Sequence, residues 1–456
     1  MENNRGDRMN IQSALDRATR AQWEVFIQQS RRVDIQLRQS RTEASIRQEN
    51  VGYGIRVITP RNGGAGVGFA SCNSEGELEA TAEKAHELAK MNRTPFFELP
   101  VKKKLPSVQI VDRRILTNPE AAARDYAEAV QGMVSDSKEI LMTFGKVRAY
   151  VVETKILNSR GLSSRSKGTY IYLEMALKIG TGSNPTEFWP TRYARRIADL
   201  EPTKIVPEWL DIARSCLKRH PPKTKETTVI LSPAIACDIL VPTIGFHASG
   251  EAVHQNLSQF KEGAKVASDQ LDVVDDGLYP YGLRTSPFDD EGEPQRRTKI
   301  IERGIFRHHV QDQLYAQVLG AKPTGNGIRP RGFGDVDERY QVPPANFTTN
   351  LTLKPGHDSL DALVEDVKEG ILIHQAAWLN PDEITTRFGS EIRNAQEIQN
   401  GELGEAIVGG SMSGSALDVI NRISGLSNRP EIVTGYAFGC VAPYVRVDNM
   451  QISGPS

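Results

Sequence analysis

Residues 245–257 read GFHASGEAVHQNL, so two histidines and a glutamate fall within eight positions. On a helix advancing ~100° per residue, His247, Glu251 and His254 lie at relative angles of roughly 0°, 40° and −20°, within one narrow arc. Two imidazoles and a carboxylate on one face are donors of the kind that Zn²⁺ takes in structural and catalytic sites. The chemistry open to such a cluster is metal-assisted hydrolysis, in which the ion polarises a carbonyl and acidifies a water. The spacing H-x-x-x-E-x-x-H is not the zincin arrangement, however. A hydrogen-bonded polar stripe on an amphipathic helix accounts for the same residues.

Two other stretches suggest binding and do not sustain it. GGAGVG at Gly63–Gly68 lacks the G-x-G-x-x-G spacing and a P-loop lysine, and more strand follows it, so it reads as a hairpin turn. VKKKL at Val101–Leu105 reads as a solvated connector. Cys72, Cys216, Cys237 and Cys440 are scattered without a CxxC pair, which fits buried thiols in a reducing compartment. The 456 residues carry 56 basic and 57 acidic side chains, a net charge of −1. That balance gives no electrostatic case for nucleic acid as a partner. MENNRGDRMNIQSALDRA contains no apolar h-region, and no run of about 18 apolar residues offers a membrane span. A cytoplasmic protein that engages no membrane is expected.

The elements that must position the histidines follow from periodicity, and the length favours two domains. A short helix is expected near Ile11–Arg20. Val33, Ile35 and Leu37 alternate with Asp34, Gln36 and Arg38, as in a half-exposed strand, and Val51–Ile58 extends an antiparallel meander. Glu75–Met91, capped by Asn73 or Ser74, carries Leu78, Ala82, Ala85 and Ala89 at helical spacing. A second helix spans Pro119–Met133, and strands cover Leu141–Asn158 and Thr169–Ile179. Prolines and lysines cluster over 201–226, which predicts an exposed connector with a short helix at Pro207–Lys218. The strand TTVILSP and a helix running from about Pro233 through the histidines open the second half. The expected fold class is α+β. An N-terminal α/β domain with a mainly antiparallel sheet occupies 1–222, and a β-rich C-terminal domain over 223–456 carries the histidine-bearing helix.

Ser286–Arg329 contains the acidic turn Asp289-Asp290-Glu291-Gly292, then IERGI and PTGNG. VGYGIRV and GVGFAS in the first half, LNSRG at Leu157–Gly161, and the final PYVRVDNMQISG accompany it. In order and spacing these stretches resemble the TldD/PmbA family of metallopeptidase-related proteins over most of the chain. Active members of that family resemble one another in a helix bearing His-Glu-x-x-x-His, with a cysteine near the C-terminus as third zinc ligand. The motif glutamate takes the proton of the metal-bound water. Laid on this chain, the motif reads Gly250-Glu251-Ala252-Val253-His254-Gln255. Glu251 matches the general base, while Gly250 and Gln255 occupy the histidine positions. The cysteine position falls near Asn428–Arg429, and Cys440 reads as core.

The resemblance is therefore closest to the motif-lacking PmbA/TldE-type subunits. It implies a peptide-hydrolase relative that is inactive alone and holds no cofactor of its own. Such a chain forms the peptide-binding chamber of a zinc metalloprotease complex, for proteolysis or for maturation of a peptide. Zinc would sit in a motif-bearing TldD-like partner of a heterodimer, and the substrate would lie extended, as an added strand does. Two alternatives stand beside this reading. One is an active metallopeptidase with a rearranged site of His247, Glu251 and His254, joined by at most one of His308 and His309. The other is a non-enzymatic peptide-binding homodimer. Chamber-lining residues are not legible from the sequence.

Overall fold

A computed structural model describes residues 3–39, 41–135, 139–180, 185–330, 336–434 and 438–455, and its fold is α+β. Seven strands form the first sheet: β1 (Gln22–Arg38), β2 (Arg41–Arg61), β3 (Gly64–Cys72), β4 (Ile140–Asn158), β5 (Ser163–Ile179), β6 (Thr186–Phe188) and β7 (Thr191–Ala194). Their order is β3-β2-β1-β4-β5-β6, with β7 also on β5, and every pairing is antiparallel. Around it lie α1 (Asn3–Ala18), α2 (Leu78–Ala89), α3 (Arg113–Thr117), α4 (Pro119–Ser135) and α5 (Pro202–Ser215).

Alternation along β1 decides which face meets which layer. Trp23, Val25 and Ile27 pack with Ile11 and Leu15 of α1 and with Leu78 and Ala82 of α2. Val33, Ile35 and Leu37 pack beneath α4 and α5. The opposite face, with Glu24, Phe26, Gln28 and Asp34, is buried too. This corrects the half-exposed strand expected from the sequence. The second lobe covers much of that face: Gln28 Nε2 donates to the Val336 carbonyl at 2.9 Å, and Arg32 pairs with Asp337 at 3.1 Å. Asp34 is held within the sheet by Arg148 at 2.8 Å.

The stretch 201–226 is likewise more than an exposed connector. Ile205, Val206, Trp209, Leu210 and Ala213 of α5 belong to the core of the first lobe. Their helical spacing gives α5 an apolar face to bury, with Pro202 at its first position and Pro207 within it. GGAGVG forms the turn and first residues of the β2–β3 hairpin, as its sequence predicts.

The second half opens with β8 (Arg219–His220), β9 (Lys225–Leu231), α6 (Pro233–His247) and α7 (Gly250–His254). There follow β10 (Val273–Asp276), β11 (Arg297–Glu302), β12 (Ile305–Phe306), α8 (Gln313–Val318), β13 (Gly327–Ile328), β14 (Ala345–Asn346) and β15 (Leu351–Leu353). The last strands described are β16 (Glu369–Ala377), β17 (Arg387–Gln399), β18 (Glu402–Ile407), β19 (Ser411–Ser415), β20 (Ile423–Leu426), β21 (Glu431–Thr434), β22 (Phe438–Ala442) and β23 (Val445–Ser453). One sheet runs β16-β9-β23-β19-β17-β18-β8, and β16 also pairs with β17, which closes it on itself. A second runs β12-β11-β10-β15-β22-β21. Against strands of both sheets packs α6, whose Ile239, Leu240, Val241 and Ile244 are essentially fully buried. A helix apolar on all sides is a core helix, not an amphipathic surface one. Among the described residues no helix is long and apolar enough to cross a membrane.

The lobes meet where VGYGIRV receives Tyr340. A Cβ placed on Gly52 would lie 2.2 Å from the Tyr340 ring, and one on Gly54 would lie 2.4 Å from its carbonyl oxygen. Those two glycines let the second lobe approach the β2 backbone. Gly52→Ala is therefore expected to lower unfolding stability by about 1–3 kcal/mol through overpacking. Gly132→Ala, where nothing lies within 4 Å of the added Cβ, should raise it by up to about 1 kcal/mol. Urea unfolding of the two variants checks the contact, and equal effects would refute it.

Candidate functional site

The histidine-bearing segment is not one helix. Its first helix, α6, ends at His247, and Ser249 takes an extended conformation (ψ 143°) while its Oγ accepts the Ala252 N–H at 3.1 Å. Serine in that position caps a new helix, α7, whose first turn contains Glu251. Val310 pins the break by donating to the Ala248 carbonyl at 2.8 Å and accepting the Gly250 N–H at 2.9 Å. The common arc predicted for His247, Glu251 and His254 is thus corrected: a capped break at Ser249 separates the first from the other two. The Ser-Gly pair after His247 was the sequence signal for it.

Each side chain lands in different surroundings. His247 is fully buried, its ring centroid 5.3 Å from those of both Phe246 and Phe260. Its Nδ1 accepts from the Gln259 N–H at 3.4 Å, and burial pushes its pKa down to about 4, so it is neutral near pH 7. Exposed His254 lies with its ring centroid 6.0 Å from that of Tyr315. The Glu251 carboxylate accepts from Gln255 Nε2 at 3.2 Å and also bonds the Tyr315 phenol. Burial first, and Glu251 next, raise the Tyr315 pKa. His309 packs edge-on against Phe306 at 4.6 Å and lies 3.8 Å from Glu262, while His308 is exposed. Among the described residues no group of three or more His, Cys, Asp or Glu side chains is arranged to hold a metal ion.

The position of the first family histidine is filled from outside. A Cβ on Gly250 would lie 3.0 Å from Tyr315 Cβ, 3.1 Å from Gln311 Cγ and 3.3 Å from Leu319 Cδ1. An imidazole there has no room unless α8 and its flanks shift. At the second histidine position, Gln255 spends its amide on the would-be base. The region counted as the cysteine position lies elsewhere: Arg429 is close enough to Glu208 of α5 to pull its carboxyl downward. Glu208 shares a cleft with Ser232–Ile235, at the start of α6. The 15 residues of α6 place that end about 20 Å from Glu251. Cys440 is buried in β22, the other three thiols are buried elsewhere, and none of the four forms a disulfide. The donor set around Glu251 therefore does not fit the family's zinc centre.

Sequence reasoning treated the acidic turn only as a family marker. It is buried: Asp289, Asp290, Glu291 and Glu293 are each at most 5% exposed. Glu291 accepts from Arg56 Nη1 of β2 at 2.8 Å and from the Gln313 N–H of α8 at 2.9 Å. Arg56 also bonds Glu24 of β1 at 2.8 Å, and Arg329 reaches Glu24 from the second lobe at 3.0 Å. Arg339 grips both oxygens of Asp290 at 2.9 Å. Burial works against the charge on Arg56, but Glu24 and Glu291 outweigh it and hold the guanidinium protonated. Asp312, which caps α8 through the Tyr315 N–H at 2.8 Å, is pushed up to about 8 by burial and next by Glu291. The partners of this turn are 235 residues away in the case of Arg56, so no local spacing could have revealed them.

A two-lobed α+β protein with a capped helix break where a hydrolytic metal motif would lie is the class that fold and site define. Models of the PmbA/TldA metallopeptidase family match residues 23–89 (domain 1) and 224–454 (C-terminal domain). The chain belongs to this PmbA/TldD family. It is 26% identical over 398 residues to a metalloprotease of Methanocaldococcus jannaschii, covering 84% of this chain and 85% of that protein. It is 27% identical over 251 residues to a zinc metalloprotease TldD homolog of Saccharolobus solfataricus, covering 52% and 54%. The crystal structure of TldE from Thermococcus kodakarensis superposes with a TM-score of 0.84 at 21% identity, over 98% of this chain and 100% of that one.

Two measurements test the site. Gly250→His should cost about 1–3 kcal/mol in urea unfolding through overpacking, and the double variant Gly250→His/Gln255→His should still purify without stoichiometric zinc by elemental analysis. A restored one-to-one zinc content would overturn the packing argument. His247 has a folded pKa of about 4 against roughly 6.5 unfolded, so the unfolded chain takes up the proton first on acidification. Its contribution is complete above pH ~6.5 and is lost as the pH falls toward 4. Between pH 7 and pH 5 the wild type should therefore lose about 2 kcal/mol more than His247→Phe. Parallel losses in the two proteins would remove this account of the imidazole.

Proposed function

We propose that this chain is the subunit of a zinc metallopeptidase complex that lacks the catalytic metal, and that it completes a chamber for extended peptides. The TldD-like partner, bearing an intact HExxxH, supplies the zinc and the general base in a cytoplasmic heterodimer. One observation carries the reading: Tyr315, Gln311 and Leu319 close over Gly250 where active relatives carry a histidine. The departure from the motif is thus built into the packing of α7 on α8, beyond two changed letters. Glu251, the residue matching the family base, is committed to Gln255 and Tyr315. In this role it positions α7 and takes no proton from water. The chain's own contribution would then be binding: backbone groups along sheet edges pair with an extended substrate, and side-chain pockets select among residues.

The test is co-expression with a motif-bearing homologue. The lone chain should carry well under one zinc and no peptidase activity, and the co-purified complex should carry one zinc and cleave peptide. Glu251→Gln in this chain should leave the activity of the complex within about twofold. Stoichiometric zinc in the lone protomer that is lost with His254→Ala would overturn the proposal and support the rearranged site. Refusal to pair with the homologue would instead favour a peptide-binding homodimer.

A further inference from the structure

A cavity lies about 20 Å from Glu251, at the other end of α6. This cleft of about 830 Å³ opens between β5, β7 and α5 of the first lobe and the start of α6 with β16 of the second. Its volume falls within the roughly 300–1,000 Å³ of ligand sites. The walls are aromatic: Tyr172, Phe188 and Tyr193 are buried beneath, while Trp189 and Trp378 stand 44% and 83% exposed. Large apolar rings exposed together in one groove mark a binding surface more than singly scattered ones do.

The first of these indoles is held in place. The Gln375 side chain spans the lobes and bonds the Trp189 backbone twice, accepting its N–H at 3.3 Å and donating to its carbonyl at 2.6 Å. The Trp189 indole N–H donates to Glu174 at 2.9 Å. Trp378 has φ +51°, a left-handed backbone that bulky residues rarely adopt. Strain of that kind persists where surrounding structure enforces it, and it concentrates at binding sites.

Charge gives the cleft its sign. Among the described residues, Glu174, Glu208 and Asp238 line it with the guanidinium of Arg192, while Lys146 pairs with Glu174 at 3.5 Å and Arg429 lies near Glu208. Arg192 is engaged by Glu431 at 2.8 Å. Glu208 is open to the cleft and makes no hydrogen bond or ion pair with any described residue. Partial burial in the cleft raises its carboxyl pKa against the pull of Arg192 and Arg429. A carboxylate free of described partners, in a cleft that two indoles also line, has the composition that attracts an organic cation, through cation–π contact and a charge-assisted hydrogen bond.

We propose that this cleft binds the basic side chain of an extended peptide, its aliphatic stem against Trp189 and Trp378 and its cationic head on Glu208. The assignment rests on the peptide-chamber reading and adds a residue preference to it.

The test uses the full chain without partner or metal, titrated calorimetrically and by tryptophan emission with acetyl-Ala-Ala-Arg-Ala-Ala-amide. Single-site saturation with a change in emission is expected, and the same peptide with Leu or Glu for Arg should bind at least tenfold more weakly. Glu208→Gln should weaken the arginine peptide about tenfold and leave the leucine peptide unchanged. Trp378→Ala should weaken binding and remove much of the emission change. Both residues are exposed, and circular dichroism checks that the variants are folded. Equal affinity for the arginine and leucine peptides, no saturable binding, or indifference to Glu208→Gln each overturns the proposal. A chain that pairs with the homologue in an active complex yet ignores the arginine peptide loses only this cleft assignment.

Discussion

The geometry of the molecule depends on a buried guanidinium. Arg56 of β2 is shared between Glu24, on the neighbouring strand, and Glu291, in the other lobe. Arg329 returns the contact by reaching Glu24 from the second lobe. Dehydrating so many ions offsets much of their mutual attraction, so such a network adds modest net stability while every member needs its partner. What it imposes is position. Two lobes that meet through paired charges and a tyrosine seated on glycine can meet in one register only.

That register extends to the segment around Gly250. The second oxygen of Glu291 accepts from the Gln313 N–H in the first turn of α8. Asp312 caps the same helix, and Tyr315 with Leu319 beyond it then closes on Gly250. The acidic turn between the lobes thus holds the helix that occupies the space of an absent imidazole. The absence of a ligand side chain and the close approach of α8 are one packing arrangement: glycine admits the helix at this distance, and a larger residue requires the helix to give way.

Around α6 the second lobe arranges two regions of opposite character. At its C-terminal end the chain turns at Ser249 into a crowded, hydrogen-bonded segment with its glutamate engaged. The N-terminal end opens on a wide aromatic cleft lined by Glu208, which no described residue bonds. Because α6 is buried on every side, it can serve as a rigid spacer between them.

Much of this was legible in the chain itself. Hydrophobic alternation and helical spacing revealed the long strands of the first sheet, α2 and α4, because those signals are local and repeat every few residues. The family motifs pointed to the correct fold, and the letters at 250 and 255 already showed glycine and glutamine where ligands were expected. Tertiary structure decided what local pattern could not carry. Asp34 looked exposed and is buried, since the cover comes from elsewhere in the chain. His247 looked like part of a polar stripe and belongs to an aromatic core, since its helix ends there and Ser249 caps a separate one. Burial and charge pairing depend on residues hundreds of positions apart, and spacing along one segment holds no information about them.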